Sequence, residues 1–269
     1  MGATKIKNIY QNQVGTNRPL SQDFGPGAVM VGQGIYETST TKKARLGERL
    51  QVGDRVFRYA YAGAAAILGG LLVQGPILGG SDTTLQTTRP LSVAAAAGDT
   101  RIFMNALTTA QVANLYVDGL ASIFDATLSS ALLFRVKGNS YLDTSGTSSY
   151  IELYDGVPTA LTTSSQVELI TNPYNGVITL ASATAITGML LGVAPVYVAA
   201  NRYFWLQTFG PVAVIPYAAL DLDEYCMPSK DSAGETQKES VGTNTMSIGL
   251  PMAIGTAGES AIIFLQILA

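Results

Sequence analysis

The chain contains no histidine. Imidazole is the one side chain that ordinarily changes charge near neutral pH. Its absence removes Ser-His-Asp and Cys-His nucleophile activation and every His-ligated zinc or iron centre. There is a single cysteine, Cys226, so no internal disulfide and no cysteine cluster can form. A reactive thiol needs a basic neighbour, and Tyr225 and Met227 supply none, so Cys226 reads as a small buried side chain. Charge is also scarce: 13% of the 269 residues are charged, against roughly 25% in ordinary soluble domains. A surface so poor in charge is weakly protected against association, which suits a chain partly covered by partners.

Targeting and membrane signals are missing as well. The opening MGATKIKNIYQNQ has no apolar segment of the signal-peptide kind, and Ile6 stands where myristoylation needs Ser or Thr. Residues 60–81 carry no charge over about a bilayer's length. Gly63, Gly69, Gly70, Gln74, Gly75 and Pro76 would break a helix there, so a strand pair or core segment is expected and no membrane partner. Helix-permissive stretches are confined to residues 94–97 and 108–113, too short to stand alone.

What the chain does have is 47% hydrophobic residues, 28 glycines and frequent Ser and Thr. That composition can fill a substantial core and favours short strands joined by tight turns. Residues 55–61, RVFRYAY, alternate as a half-buried strand does, between Gly53-Asp54 and Ala62-Gly63. Further strands are expected over 101–106, 113–117, 120–124, 132–137, 151–154, 167–170, 177–180, 193–199, 203–208, 212–215 and 261–268, with Asp118-Gly119 as a two-residue hairpin turn between the second and third of these. The spacing and the Asp-Gly and Asn-Gly turns predict an all-β fold, an antiparallel sandwich or barrel. No clean internal repeat is apparent.

Three regions are expected: residues 1–47 as an extended basic arm, 48–220 as the β body, and 221–269 as an acidic loop with a C-terminal β segment returning to the sheet. The charge is asymmetric. Residues 1–58 hold nine basic and four acidic side chains, the remainder seven and fifteen. A cationic arm on an anionic body is drawn to an acidic protein surface. The basic residues are spread among Tyr, Gln and Gly, and the body would repel phosphate, so nucleic acid is not the expected partner.

The pieces GDRVFRYAYAGAAAILGGLLVQGP (53–76), AAAGDTRIFMNAL (95–107), ANLYVDGLASIFDA (113–126), FRVKGN (134–139), ELITNPYNGVI (168–178), GVAPVYVAANRYFWLQTFGPVAV (192–214) and the ending VGTNTMSIGLPM…GESAIIFLQILA resemble, in that order, decoration or cement proteins on the heads of tailed phages, including marine ones. The resemblance covers about three quarters of the chain. It implies a virion protein without a catalytic task, on the outer surface of the capsid, bound to the major capsid protein lattice. It also implies a homo-oligomer, with a trimer favoured. The alternative is a glycan-binding or glycan-cleaving head-fibre or tail-associated protein.

The candidate partner-binding residues are Lys42, Lys43, Arg45 and Arg49 for electrostatic steering, and Tyr203 and Trp205 as aromatic anchors. In a strand over 203–207, Tyr203 and Trp205 share one face and Phe204 and Leu206 the other, so burial on both sides competes with an intersubunit contact. No catalytic residue, cofactor or metal ligand is expected. The loops at 25–30 and 32–37 begin like dinucleotide loops but carry Met30 and Glu37 where the third glycine belongs. Asp221, Asp223, Glu224 and Asp231 lack the glycine and distal Glu of an EF-hand, leaving Ca²⁺ binding there as an open alternative to a solvated acidic loop. Asp118, Asp125, Asp143, Glu152 and Asp155 are the acids open to a glycosidase reading, and turn positions account for Asp118, Asp143 and Asp155.

Overall fold

A computed structural model describes residues 32–76, 89–125, 129–145, 149–182, 188–238 and 246–267. Among these the chain forms sixteen strands and no helix. In order they are β1 (Arg49–Val52), β2 (Arg55–Ala62), β3 (Leu72–Gln74), β4 (Arg89–Pro90), β5 (Arg101–Phe103), β6 (Leu120–Asp125), β7 (Ser130–Asn139), β8 (Tyr150–Leu153), β9 (Gln166–Ile170), β10 (Asn175–Thr179), β11 (Leu190–Val193), β12 (Tyr203–Val214), β13 (Cys226–Pro228), β14 (Thr236–Lys238), β15 (Gly249–Pro251) and β16 (Ala261–Gln266). The all-β expectation holds, and the form is barrel-like.

The larger sheet runs β1-β2-β10-β3-β11-β12-β16-β15-β13-β14, and a further β2–β12 pairing closes β2, β10, β3, β11 and β12 into a ring. All its pairings are antiparallel except β2–β10. Ala60, Ala62, Ile67, Val73, Val177, Leu191, Val198, Phe204 and Leu206 fill the ring. The chain beyond β12 returns to the sheet, and a parallel bridge from Thr236 to Pro216 brings β14 back beside the end of β12. Cys226, Ile248, Ile263 and Leu265 are packed into this second core. The third unit is the six-stranded sheet β4-β9-β6-β7-β8-β5, whose two edges meet at the Leu91–Met104 bridge. It has its own core around Ile102, Met104, Ile123, Leu142 and Ile151.

A local pattern recurs in all three units. Two bend residues precede a single bridging residue, a two-residue turn follows, and a strand begins. These bridging residues pair antiparallel as Ile67–Val198, Ala95–Leu161 and Leu220–Gly255, one pair in each unit. Each pair exchanges both backbone hydrogen bonds at 2.8–3.0 Å. The bridging residues themselves range from Gly to Leu because backbone groups make the contact, while Ala precedes four of the six and Gly, Asn, Asp or Ser stands three residues after each.

Several expected elements are corrected. Residues 113–117 form turns instead of a strand, with Asn114 and Asp118 at positive φ and the Gly119 N–H donating to the Tyr116 carbonyl. The hairpin partner of β6 is β7. The strands expected over 203–208 and 212–215 merge into one long strand, β12, which ends at Val214 and whose pairing with β2 shifts register between Gln207 and Phe209. Gly210, at φ 88, permits the bend there: a Cβ would stand 2.3 Å from the Asp54 carbonyl. Pairing with β2 covers the first half of β12 and pairing with β16 the second, so this strand joins two of the cores. Within the expected acidic loop the chain forms β13 and β14, a hairpin whose Cys226 and Met227 are buried.

Residues 33–47, read as part of an extended arm, lie against the outer face of β2 and β12. Leu46 and Leu50 pack with Phe57, Tyr59 and Trp205. The first 31 residues of the expected arm lie outside the described residues.

Candidate interaction surface

β2 and β12 are buried on both sides because alternate side chains enter different cores. Phe204 and Leu206 point into the ring, while Tyr203 and Trp205 point outward beneath the 33–50 segment. Trp205 is 5% exposed. Its Nε1 donates to the Gln33 carbonyl at 3.0 Å, and its ring meets Tyr59 edge-on with centroids 4.9 Å apart. Tyr203 stacks on Tyr59 at 5.9 Å and tilts against Tyr61 at 4.6 Å. Burial pushes the Tyr59 hydroxyl above its usual range, opposed by the Lys43 N–H that donates to it at 3.0 Å. Burial also raises Tyr203, with Tyr61 adding to the effect. The two aromatic candidates therefore anchor the chain's own N-terminal segment.

The four basic candidates ride on the outside of that same segment, and all are exposed. Lys42 Nζ is 3.7 Å from Asp118, whose other neighbours are Arg135 at 3.3 Å and the Tyr154 hydroxyl at 3.2 Å. Arg45 contributes its backbone N–H to Glu48 at 2.9 Å, leaving the direction of its guanidinium to the surface. Asn172 bridges behind them, its Nδ2 donating to the Asp118 and Leu46 carbonyls. Of the four, Lys42 reaches the turn that leads into the six-stranded sheet, and Arg49 lies on β1 opposite Arg58.

The acids considered for hydrolysis are engaged separately. Asp125 is fully buried and accepts from Thr159 at 3.4 Å. Asp143 accepts from the Ser145 N–H and Ser149 hydroxyl. Glu152 is paired with Lys137 at 2.9 Å, and that hydrogen bond holds its carboxyl below the usual range. Asp221 and Glu224 share Lys238, at 3.8 and 3.3 Å. Among the described residues no three His, Cys, Asp or Glu side chains are grouped to hold a metal. Burial pushes the Cys226 thiol up to about 12. The loop at 25–30 lies outside the described residues, and residues 34–37 close as a turn through the Glu37 N–H and the Gly34 carbonyl.

Sequence reasoning did not anticipate the shallow groove of about 390 Å³ beside β12, lined by Tyr36, Arg55, Gly69, Gly70, Pro211, Ala213 and Glu259. Arg55 donates to the Tyr36 hydroxyl at 2.8 Å and lies over the Phe57 ring at 5.5 Å. The residues named come from five separate stretches of chain, so no local motif marks it. Comparison with protein-family models, with curated proteins and with solved structures gives no match.

Proposed function

We propose that this chain is a non-enzymatic structural protein of a tailed-phage virion, a decoration or cement protein that binds the major capsid protein lattice on the outer surface of the head and stabilises it. The observation that carries the reading is the surface. Nineteen large apolar side chains, tyrosines included, stand exposed among the described residues of a chain with 13% charge. Docking such a surface removes apolar area from water and strips few charges of their hydration. The exposed basic residues at 42–49 add steering toward an acidic lattice surface, and the resemblance of the ordered sequence pieces to head decoration proteins suggests the setting.

In this reading a homo-oligomer gains avidity, since contacts after the first are intramolecular. Binding the assembled lattice alone stabilises that state by mass action. The test uses undecorated heads. The full chain should bind them and raise their melting temperature. The variant Lys42→Glu, Lys43→Glu, Arg45→Glu, Arg49→Glu should bind at least tenfold more weakly at low salt, with the difference narrowing as salt rises. Absence of head binding by the full chain would overturn the proposal, and a glycan-array signal in its place would favour the glycan-directed alternative.

A further inference from the structure

The outer face of β12, β16 and β15 is an apolar sheet surface that no other described segment covers. Phe264 lies opposite Leu250 on one side and Pro211 on the other, and Ile262 lies opposite Ala213. Met252 continues the face, its N–H donating to the Ile262 carbonyl at 2.8 Å. Leu250, Met252 and Ile262 are 39%, 51% and 49% exposed. Strand alternation sends Ile263 and Leu265 into the core and leaves Ile262 and Phe264 outside, where a half-buried strand ordinarily carries polar residues. No charged residue occurs in the second half of β12, in β15 or in β16.

We propose that a second copy of this chain packs on this face. The inference rests on the proposed assembly role only in taking the protein to be a homo-oligomer. Two features select a copy over another partner. The face has no charge of its own, so its repetition across a symmetric contact brings no like charges together. Charged residues stand at its two ends: Asp54 and Arg55 abut Gly210 at one end of the β12–β16 ladder, and Glu259 precedes β16 at the other. A copy turned end for end sets Arg55 of one chain toward Glu259 of the next. The exposed apolar area, of the order of a few hundred Å², is the size that marks interaction sites on soluble proteins. It supplies the dry centre of an interface that buries roughly 800 Å² on each partner.

The experiment is the solution mass of the isolated full chain by light scattering, with far-ultraviolet circular dichroism as the check on folding. The wild type should have the mass of two or more chains at micromolar concentration. Leu250→Glu with Ile262→Glu should have the 28.2 kDa mass of one. Glu259→Lys, at an exposed turn, should raise the dissociation constant several-fold. Leu133→Glu, at an exposed position of the six-stranded sheet, should leave the mass unchanged. A wild type of one chain assigns the face to a different partner and overturns the proposal, as does a folded Leu250→Glu, Ile262→Glu variant that keeps the wild-type mass. Because no capsid is present, failure here is distinct from failure of head binding.

Discussion

The indole of Trp205 and the backbone carbonyl of Gln33, 172 positions apart, are joined by a hydrogen bond of 3.0 Å that fastens the N-terminal segment over β12. The Gln33 side chain completes the fastening. Its Nε2 donates to the Tyr203 and Glu37 carbonyls, and its Oε1 accepts from the Tyr59 hydroxyl at 2.7 Å. Gln33→Ala strips a buried hydroxyl of its acceptor and should cost about 1–3 kcal/mol in urea unfolding. Trp205 is the chain's single tryptophan, so its emission should shift to the red as the cover loosens. An unchanged spectrum and midpoint would show that Leu46 and Leu50 hold the segment without it.

Stability should fall on the alkaline side. Burial raises Tyr59, Tyr174 and Tyr203 above their ordinary value of 10.0, and raises the Cys226 thiol from 9.0 to about 12. Each group stays protonated in the folded chain where the unfolded chain has already lost its proton. Their contribution is therefore complete below pH 9, and declines as pH rises through the folded values. Denaturant midpoints measured from pH 7 to 11 should be level up to about 9 and drop beyond it. A thiol reagent at pH 8 should leave Cys226 unmodified until the chain unfolds.

Gly192 tests the closure of the ring. A Cβ at this position would stand 2.1 Å from the Gln207 carbonyl oxygen, and a strand backbone cannot yield as a flexible side chain would. Gly192→Ala should cost roughly 2–3 kcal/mol and lower Tm by roughly 5–10 °C. Gly53→Ala is the comparison. Its Cβ meets open space, and only the φ of 60° is strained, so its cost should be about 1 kcal/mol.

Two variants separate charge from backbone at Asp118, which has φ 59° and pairs with Lys42 and Arg135. Asp118→Asn keeps a residue tolerant of that conformation and loses only ion pairs whose basic partners are about 40% exposed, so it should cost about 0–1 kcal/mol. The loss should fade as salt rises. Asp118→Ala adds roughly 1–2 kcal/mol of left-handed strain that salt does not relieve. Urea unfolding at low and high salt reads both.

The sequence by itself determined that the chain is all-β and where most strands lie. Alternation in residues 55–61 and the turn residues between later strands act over a few positions, and these local preferences survive in the fold. It also showed bulky side chains on both alternating faces from Tyr203 to Leu206, which left burial on both sides in competition with an intersubunit contact. Only the tertiary structure decided which strands meet. The β2–β12 register, setting Tyr203 beside Tyr61, joins residues some 140 positions apart, and hydrogen bonds between strands carry no sequence signature of their partner. Burial of Trp205 under Gln33 and exposure of Ile262 were settled in the same way. Both are apolar side chains on strands, and what covers a strand's outer face depends on segments that arrive from elsewhere in the chain.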